Sequence, residues 1–502
     1  MVLSLAMLAV AACATSSRAP DPQRLAEYRA QWNHHEGANP PEHSAEAFQQ
    51  RLQLIHSPLF AALSADEQHR HLLQAVLLGW RSEQDAAALG LAQRMSKMEP
   101  IRVQDWIIRF ESAYGAWDYK DAIYTLTQAA RRWPGALDRF PGVLVQSVAR
   151  RPARNAAERQ ARFELLQALY FANWVDENGV PPAELWGELA LELTENRQLA
   201  LGLEVARRVD SPRFVVAART DRRFDALVSQ GGYAFDIDWA ADRQVDDWSR
   251  AVRRNPRRLE SVVQLAYALL DVGRYEDAYR VTSSVMARMA KAASFSDLYD
   301  DNDPWFNWIL TGYSASLLGL GRWTDAEGEL RSAADRLEYG HRNQRNIITL
   351  ARFEADMGRG REALTVLTES PADSTMAPVW RMRWWFTRLM AAVSIGDRKL
   401  EAQCLEFIRA HSKDAPSAYY ESALAMTGRI EKAARLLIRR LQDPLTRRDA
   451  LADVQNYHDP PMPPFVEAQN DRWNKLLKRA DVQAAIARVG RVLDVPLPSA
   501  GG

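Results

Sequence analysis

Leu269-Leu270-Asp271-Val272-Gly273-Arg274-Tyr275-Glu276-Asp277-Ala278 closes one apolar run of helical period and opens another, with a glycine at the seam. Leu and Ala spaced at 3.6 residues make one amphipathic helix. Gly is suited to end it, because the left-handed residue that closes a helix is strained in any residue with a Cβ. The alanine five residues on is small enough to let a second helix lie close against the first. The same seam returns in Leu317–Ala326 around Gly321, in Glu354–Ala363 around Gly358 and in Leu424–Ala433 around Gly428. A further copy, Ala392–Ala402 around Gly396, takes one residue more between its glycine and its alanine. The turn glycines stand 48, 37, 38 and 32 residues apart. Period-2 strands bounded by turn dipeptides are absent, so an all-α chain is expected.

These seams on alternating helices resemble the tetratricopeptide (TPR) repeat, a helix–turn–helix unit of about 34 residues. With Gly273 at repeat position 15, Pro256 falls at position 32 of the preceding unit. Upstream, Trp106, Asp118, Tyr119, Ala122, Ala129 and Pro134 fit one further frame, with Trp117 where the turn glycine would stand. The resemblance implies a solenoid of stacked helical hairpins. Residues 256–445 read as TPR-like repeats and 21–255 as a degenerate helical region, in which Ala183–Arg208 is a helix pair. Residues 291–304 form an inserted loop. After the Asp459–Pro464 break, residues within 446–502 read as C-terminal capping helices, whose outer face must be polar.

The resemblance also implies a concave face lined by first-helix positions, here Tyr267, Trp308, Arg345, Arg352, Phe386 and Tyr419, with Arg383 beside them. Arg345 and Arg352 lie two helical turns apart and share a face. Arg383 repeats the position of Arg345 one unit along. Three guanidinium forks on one wall suit the carboxylates of an acidic peptide. Solvation, or pairing with nearby Glu and Asp, is the alternative.

Residues 1–12 carry no charge and are shorter than the ~20 residues that span a bilayer. They match the apolar core of a secretory signal. Val10-Ala11-Ala12-Cys13 resembles the bacterial lipobox, and Ala14–Ser17 the tether that follows it. The resemblance implies lipid attachment at Cys13 and an outer-membrane lipoprotein facing the periplasm, with residues 1–20 as signal and tether. No Lys or Arg precedes the apolar run, so cleavage after Ala14 to give a soluble periplasmic protein stays open.

Lys+Arg and Asp+Glu both number 64 in 502 residues, so no global basic field favours a nucleic-acid partner. A hydrophobic share of 47% is enough to build a core. Only Cys13 and Cys404 occur, and Cys404 is expected as a buried lone thiol. His34-His35-Glu36 and His69-Arg70-His71 lack metal-ligand spacing and read as solvated surface histidines. Asp297, Asp300, Asp301 and Asp303 lack the glycine and closing Glu of a calcium loop and read as solvated. No phosphate loop or nucleophile elbow appears. No metal, cofactor or catalysis is therefore expected. The chain reads as a scaffold binding a protein or peptide partner at the bacterial envelope. The alternative is an envelope enzyme acting on glycan or peptidoglycan, with two facing carboxylates somewhere in residues 134–255. Trp305, Trp308, Trp323, Trp380, Trp384 and Trp385 divide between core and groove.

Overall fold

The computed structural model describes residues 21–37, 45–151, 153, 155–292, 294–338, 341–372, 376–412 and 418–499. Cys13 and the apolar run before it lie outside the described residues. The chain forms two compact units that divide between Trp174 and Val175. Both are built of α-helices, with only two-residue strands between them among the described residues.

The first unit contains α1 (Pro22–Gly37), α2 (Ala45–His56), α3 (Ala65–Arg81), α4 (Asp85–Met95), α5 (Val103–Gly115), α6 (Tyr119–Arg132), α7 (Gly142–Ala149) and α8 (Ala156–Phe171). Ser64 and Glu67 form a reciprocal capping box that starts α3. Trp32, Phe48, Phe60, Leu72 and Val76 fill the core between the first helices. The histidine pair belongs to this packing and is not solvated as expected. His71 is buried and stacks on Trp32 at 3.9 Å. The His69 ring sits between Asp105 at 2.7 Å and Arg102 at 3.1 Å.

The second unit runs through α9 (Ala183–Glu195), α10 (Leu199–Ala206), α11 (Pro212–Thr220), α12 (Asp225–Gly231) and α13 (Ile237–Arg254). The hairpins follow: α14 (Leu259–Asp271) with α15 (Tyr275–Met289), α16 (Asn302–Gly319) with α17 (Trp323–Asp335), and α18 (Gln344–Asp356) with α19 (Gly360–Thr368). Then come α20 (Pro378–Ile395) with α21 (Arg398–Ala410) and α22 (Ala418–Met426) with α23 (Ile430–Gln442). The chain ends in α24 (Arg447–Ala452), α25 (Pro464–Leu477) and α26 (Ala480–Val489).

One turn joins these hairpins. Gly273, Gly321, Gly358, Gly396 and Gly428 all have φ between 70° and 78°. After each, the next N–H reaches back five residues: Arg274 to Leu269, Arg322 to Leu317, Arg359 to Glu354, Asp397 to Ala392 and Arg429 to Leu424. This is the Schellman closure, which satisfies carbonyls a helix end leaves free. The same bond recurs with no glycine in Gln84 to Gly79, Asp118 to Ala113, Trp174 to Leu169 and Gln198 to Leu193. There Glu83, Trp117, Asn173 and Arg197 hold φ of 58°, 59°, 52° and 61°. The hairpin geometry therefore extends through α3–α4, α5–α6 and α9–α10.

Ala278, Ala326, Ala363 and Ala433 are fully buried, as are Ala88 and Ala122 at the equivalent place upstream. The hairpin at Gly396 differs from the expectation of an extra residue. Ala402 is exposed, and Glu401 takes the packing position, donating its N–H to Asp397 at 2.9 Å. Its carboxylate is held there by Arg398 at 2.7 Å and Arg429 at 3.4 Å. The acidic loop also differs from the expectation of a merely solvated segment. Asp301 accepts the N–H groups of Leu259 at 2.6 Å and Glu260 at 3.1 Å, so it caps α14. Asp300 pairs with Arg257.

Within this unit the first helices touch one another, α14 on α16, α18 on α20 and α20 on α22. The second helices pack on their own first helix and on the next one. The first helices thus form the tighter layer, whose free side is the inner face of the stack. The segment after α23 turns back. α24 packs on α11 and α26 on α23, Asn456-Tyr457 pairs with Asp494-Val495, and Gly490 bridges to Asp221. The end of the array is joined to its beginning.

Candidate functional site

Two caps place the site residues. Pro378 opens α20, where a fixed φ suits the first helical position, and puts Trp380 and Arg383 in its first two turns. Asn343 caps α18 by accepting the N–H of Asn346. The Asn346 amide then donates to Asn307 of α16 at 3.3 Å and to the Ala333 carbonyl of α17 at 3.0 Å. That lock fixes Arg345 of α18 against α16.

The result is an alternating ladder on the inner layer. The Arg345 guanidinium lies 4.1 Å from the Trp308 ring centre and 5.0 Å from that of Trp380. Arg383 lies over the other part of the rung, 4.9 Å from Trp380. Trp308 in turn meets Tyr267 edge-on at 6.0 Å. Each cation–π contact is worth about 0.5–1 kcal/mol where exposed, and more where water is excluded. Its main effect here is orientation, since the rings hold the guanidinium planes in place. Burial pushes the Tyr267 hydroxyl up to about 12, so it stays neutral. Arg383 keeps its Nε buried without a hydrogen-bond partner, and no ion pair to it is present among the described residues.

The other predicted residues form a separate group. Arg352 gives its Nε to both oxygens of Asp356, at 3.0 and 3.1 Å. Burial raises the Asp356 carboxyl, and Arg352 opposes that rise. Arg352 also sits 5.8 Å from Phe386, which packs edge-on against Tyr419 at 5.3 Å. Phe386 is buried in the apolar cluster of the C-terminal hairpins. Of the three arginines expected on one wall, Arg345 and Arg383 share the ladder, while Arg352 is engaged by Asp356.

Trp380 joins both arginines and was not among the expected groove residues. Its signal was present in the sequence, three residues before Arg383 on the same helix. Trp384 and Trp385 are core, the first donating its indole N–H to the Ser370 carbonyl and the second stacking on Phe407 at 4.4 Å. Cys404 is buried, and burial pushes its thiol up to about 12, so it is not a reactive thiolate.

Within residues 134–255 two carboxyl groups meet at Asp210 and Asp247. Burial and then the neighbouring Asp210 raise Asp247, while Arg243 holds Asp210 at 2.6 Å and Arg250 pairs with Asp247. A hollow of about 390 Å³ lies in the first unit, lined by Ala130, Arg131, Pro134, Gln167, Ala168, Phe171 and Ala172, with no carboxylate among them. No helix among the described residues is long and apolar enough to cross a membrane.

No family model matches the chain, and no curated protein matches it. Among solved structures it is similar to the APC/C hetero-tetramer Cut9-Hcn1, at 11% identity over 93% of this chain and 95% of that one, with a TM-score of 0.31. It is similar to the P58(IPK) TPR domain at 14% identity, over 75% and 99%, with a TM-score of 0.20. A circular tandem repeat protein with a novel repeat topology matches at 13% identity, over 88% and 96%, with a TM-score of 0.13.

Proposed function

We propose that the chain is a non-catalytic scaffold of tetratricopeptide type that binds an acidic segment of a protein partner along the inner face of its first helices. The observation that supports this reading is the ladder of Trp308, Arg345, Trp380 and Arg383. Ring faces pre-orient two guanidinium forks, and Arg383 has no carboxylate partner among the described residues, so an incoming carboxylate meets an ordered donor. A labelled hexaglutamate peptide is the probe. Arg383→Ala should weaken its binding at least tenfold without lowering the melting temperature, and binding should weaken as salt rises. Binding that is indifferent to Arg383 and to salt overturns the proposal.

The compartment we propose is the bacterial envelope, with Cys13 as the lipid-bearing residue. The support is the apolar run and small residues before Cys13. Labelled palmitate should enter the wild type and not Cys13→Ser, and only the wild type should fractionate with the outer membrane. Wild-type protein recovered soluble in the periplasm overturns the anchor.

A further inference from the structure

Helix α25 is the element of the second unit that its packing explains least. It touches both α18 and α22, first helices separated by α20, so it reaches across the inner layer of the array, and it also packs on the second helix α23 and on α26. Its inward side is one stripe of helical period that includes Phe465, Gln469, Arg472, Trp473 and Leu476. Of these only Leu476 is fully buried, whereas the shorter α26 buries Val482, Ala485 and Ile486.

One polar member of the stripe fits poorly. Gln469 keeps its side-chain oxygen buried without a partner, and a desolvated acceptor left unpaired opposes docking. Arg472 donates to the Met426 carbonyl, one of the carbonyls that α22 leaves free at its end. No side chain caps the start of α25, which follows directly on Asp459-Pro460-Pro461-Met462-Pro463. This is an amphipathic helix seated on the inner face with half-buried aromatic anchors and an unsatisfied polar contact.

We infer that α25 is a displaceable occupant of the inner face, standing where an amphipathic helix of a protein partner docks by exchanging with it. The inference rests on the reading of that face as the binding surface. α25 also names the ligand's chemistry: a helix with aromatic anchors two turns apart, as Phe465 and Trp473 are, on an otherwise polar stripe. Because α25 is tethered, it faces its seat at an effective concentration of order millimolar, which masks the seat from a free helix.

The probe is a fluorescent peptide of residues 464–477 added to the full chain. It should bind the Phe465→Ser, Trp473→Ser double variant at least tenfold more tightly than the wild type. Equal binding to both, or binding to neither, overturns the inference. Should the double variant lose its cooperative melt, amide exchange on the wild type decides. The amides of α25 should then exchange at least tenfold faster than those of α23, and equal protection overturns the inference. The hexaglutamate probe separates the two claims. If it still binds through Arg383 while the helix peptide fails, this inference falls alone; if both fail, the reading of the inner face falls with it.

Discussion

At the scale of single residues, the turns make a paired test. Gly358 has φ of 78° and nothing within 4 Å of where a Cβ would stand, so Gly358→Val isolates the backbone cost. It should destabilise by about 1–2 kcal/mol in urea melts. Arg197 is an exposed residue in the same conformation at φ of 61°. Arg197→Gly should stabilise by about 0.5–1 kcal/mol, the relief being partly offset by the freer unfolded chain. Glu421 offers a second test. Burial pushes its carboxyl up to about 7, against the opposing pull of Arg440, while Asp453 on the far side of Arg440 adds to the rise. A carboxyl raised on folding binds more protons in the folded state. Its contribution is full below pH 4.5 and is lost as pH rises through about 7. The stability difference between wild type and Glu421→Gln should fall between pH 5 and pH 8, by at most about 3 kcal/mol at about 1.4 kcal/mol per pH unit. A constant difference would show Glu421 ionised throughout.

At the scale of elements, the close approach of paired helices depends on the small residue five positions past the turns at Gly273, Gly321, Gly358 and Gly428. Ala363 is fully buried there, and Ala363→Leu should overpack the hairpin by about 1–3 kcal/mol. Ala402 was expected in the same role at Gly396 but faces solvent, so Ala402→Leu should change stability by less than about 0.5 kcal/mol. Thermal melts of the pair would show whether Glu401 or Ala402 holds the register. The ladder belongs to this scale as well. Repeat phase in the sequence was enough to put Arg345 and Arg383 at one position on successive first helices. The Arg352–Asp356 pair was equally legible, since residues four apart on a helix face each other. Trp380 was legible only as a neighbour of Arg383 on one helix; its place between two guanidinium groups depends on how far α18 and α20 approach, which no local spacing encodes.

At the scale of the whole second unit, the return of the C-terminal segment changes what kind of array this is. A solenoid contacts only its neighbours in sequence, but Arg491 donates its N–H to Thr220 at 2.9 Å and pairs with Asp225 across more than 260 residues. Gly490 sits in that closure with φ of −160°, an extended conformation any residue adopts. A Cβ there would lie 2.4 Å from the Thr220 carbonyl oxygen and 2.6 Å from Leu451. Gly490→Ala should therefore destabilise by about 1–3 kcal/mol through crowding alone. Amide exchange should quicken in residues 220–225 and 487–491 together, while α14 and α16 keep their protection. Uniform quickening along the array would mean the closure is not a distinct joint.

Local chemistry determined the helices, the glycine turns and the alanine seams, because the period of apolar residues and the backbone freedom of glycine act over a few residues. It could not show the hairpin at Glu83, and it showed those at Trp117 and Arg197 only through their flanking pattern, because packing there holds a side-chain-bearing residue at positive φ and no glycine marks the turn. Nor could it show that His71 stacks in a core, that Asp301 caps a helix 42 residues away, or that α25 lies on α18 and α22. Each of these is a contact between segments far apart in the chain. Whether such segments meet depends on the summed rotation of every hairpin between them, and only the folded unit decides that sum.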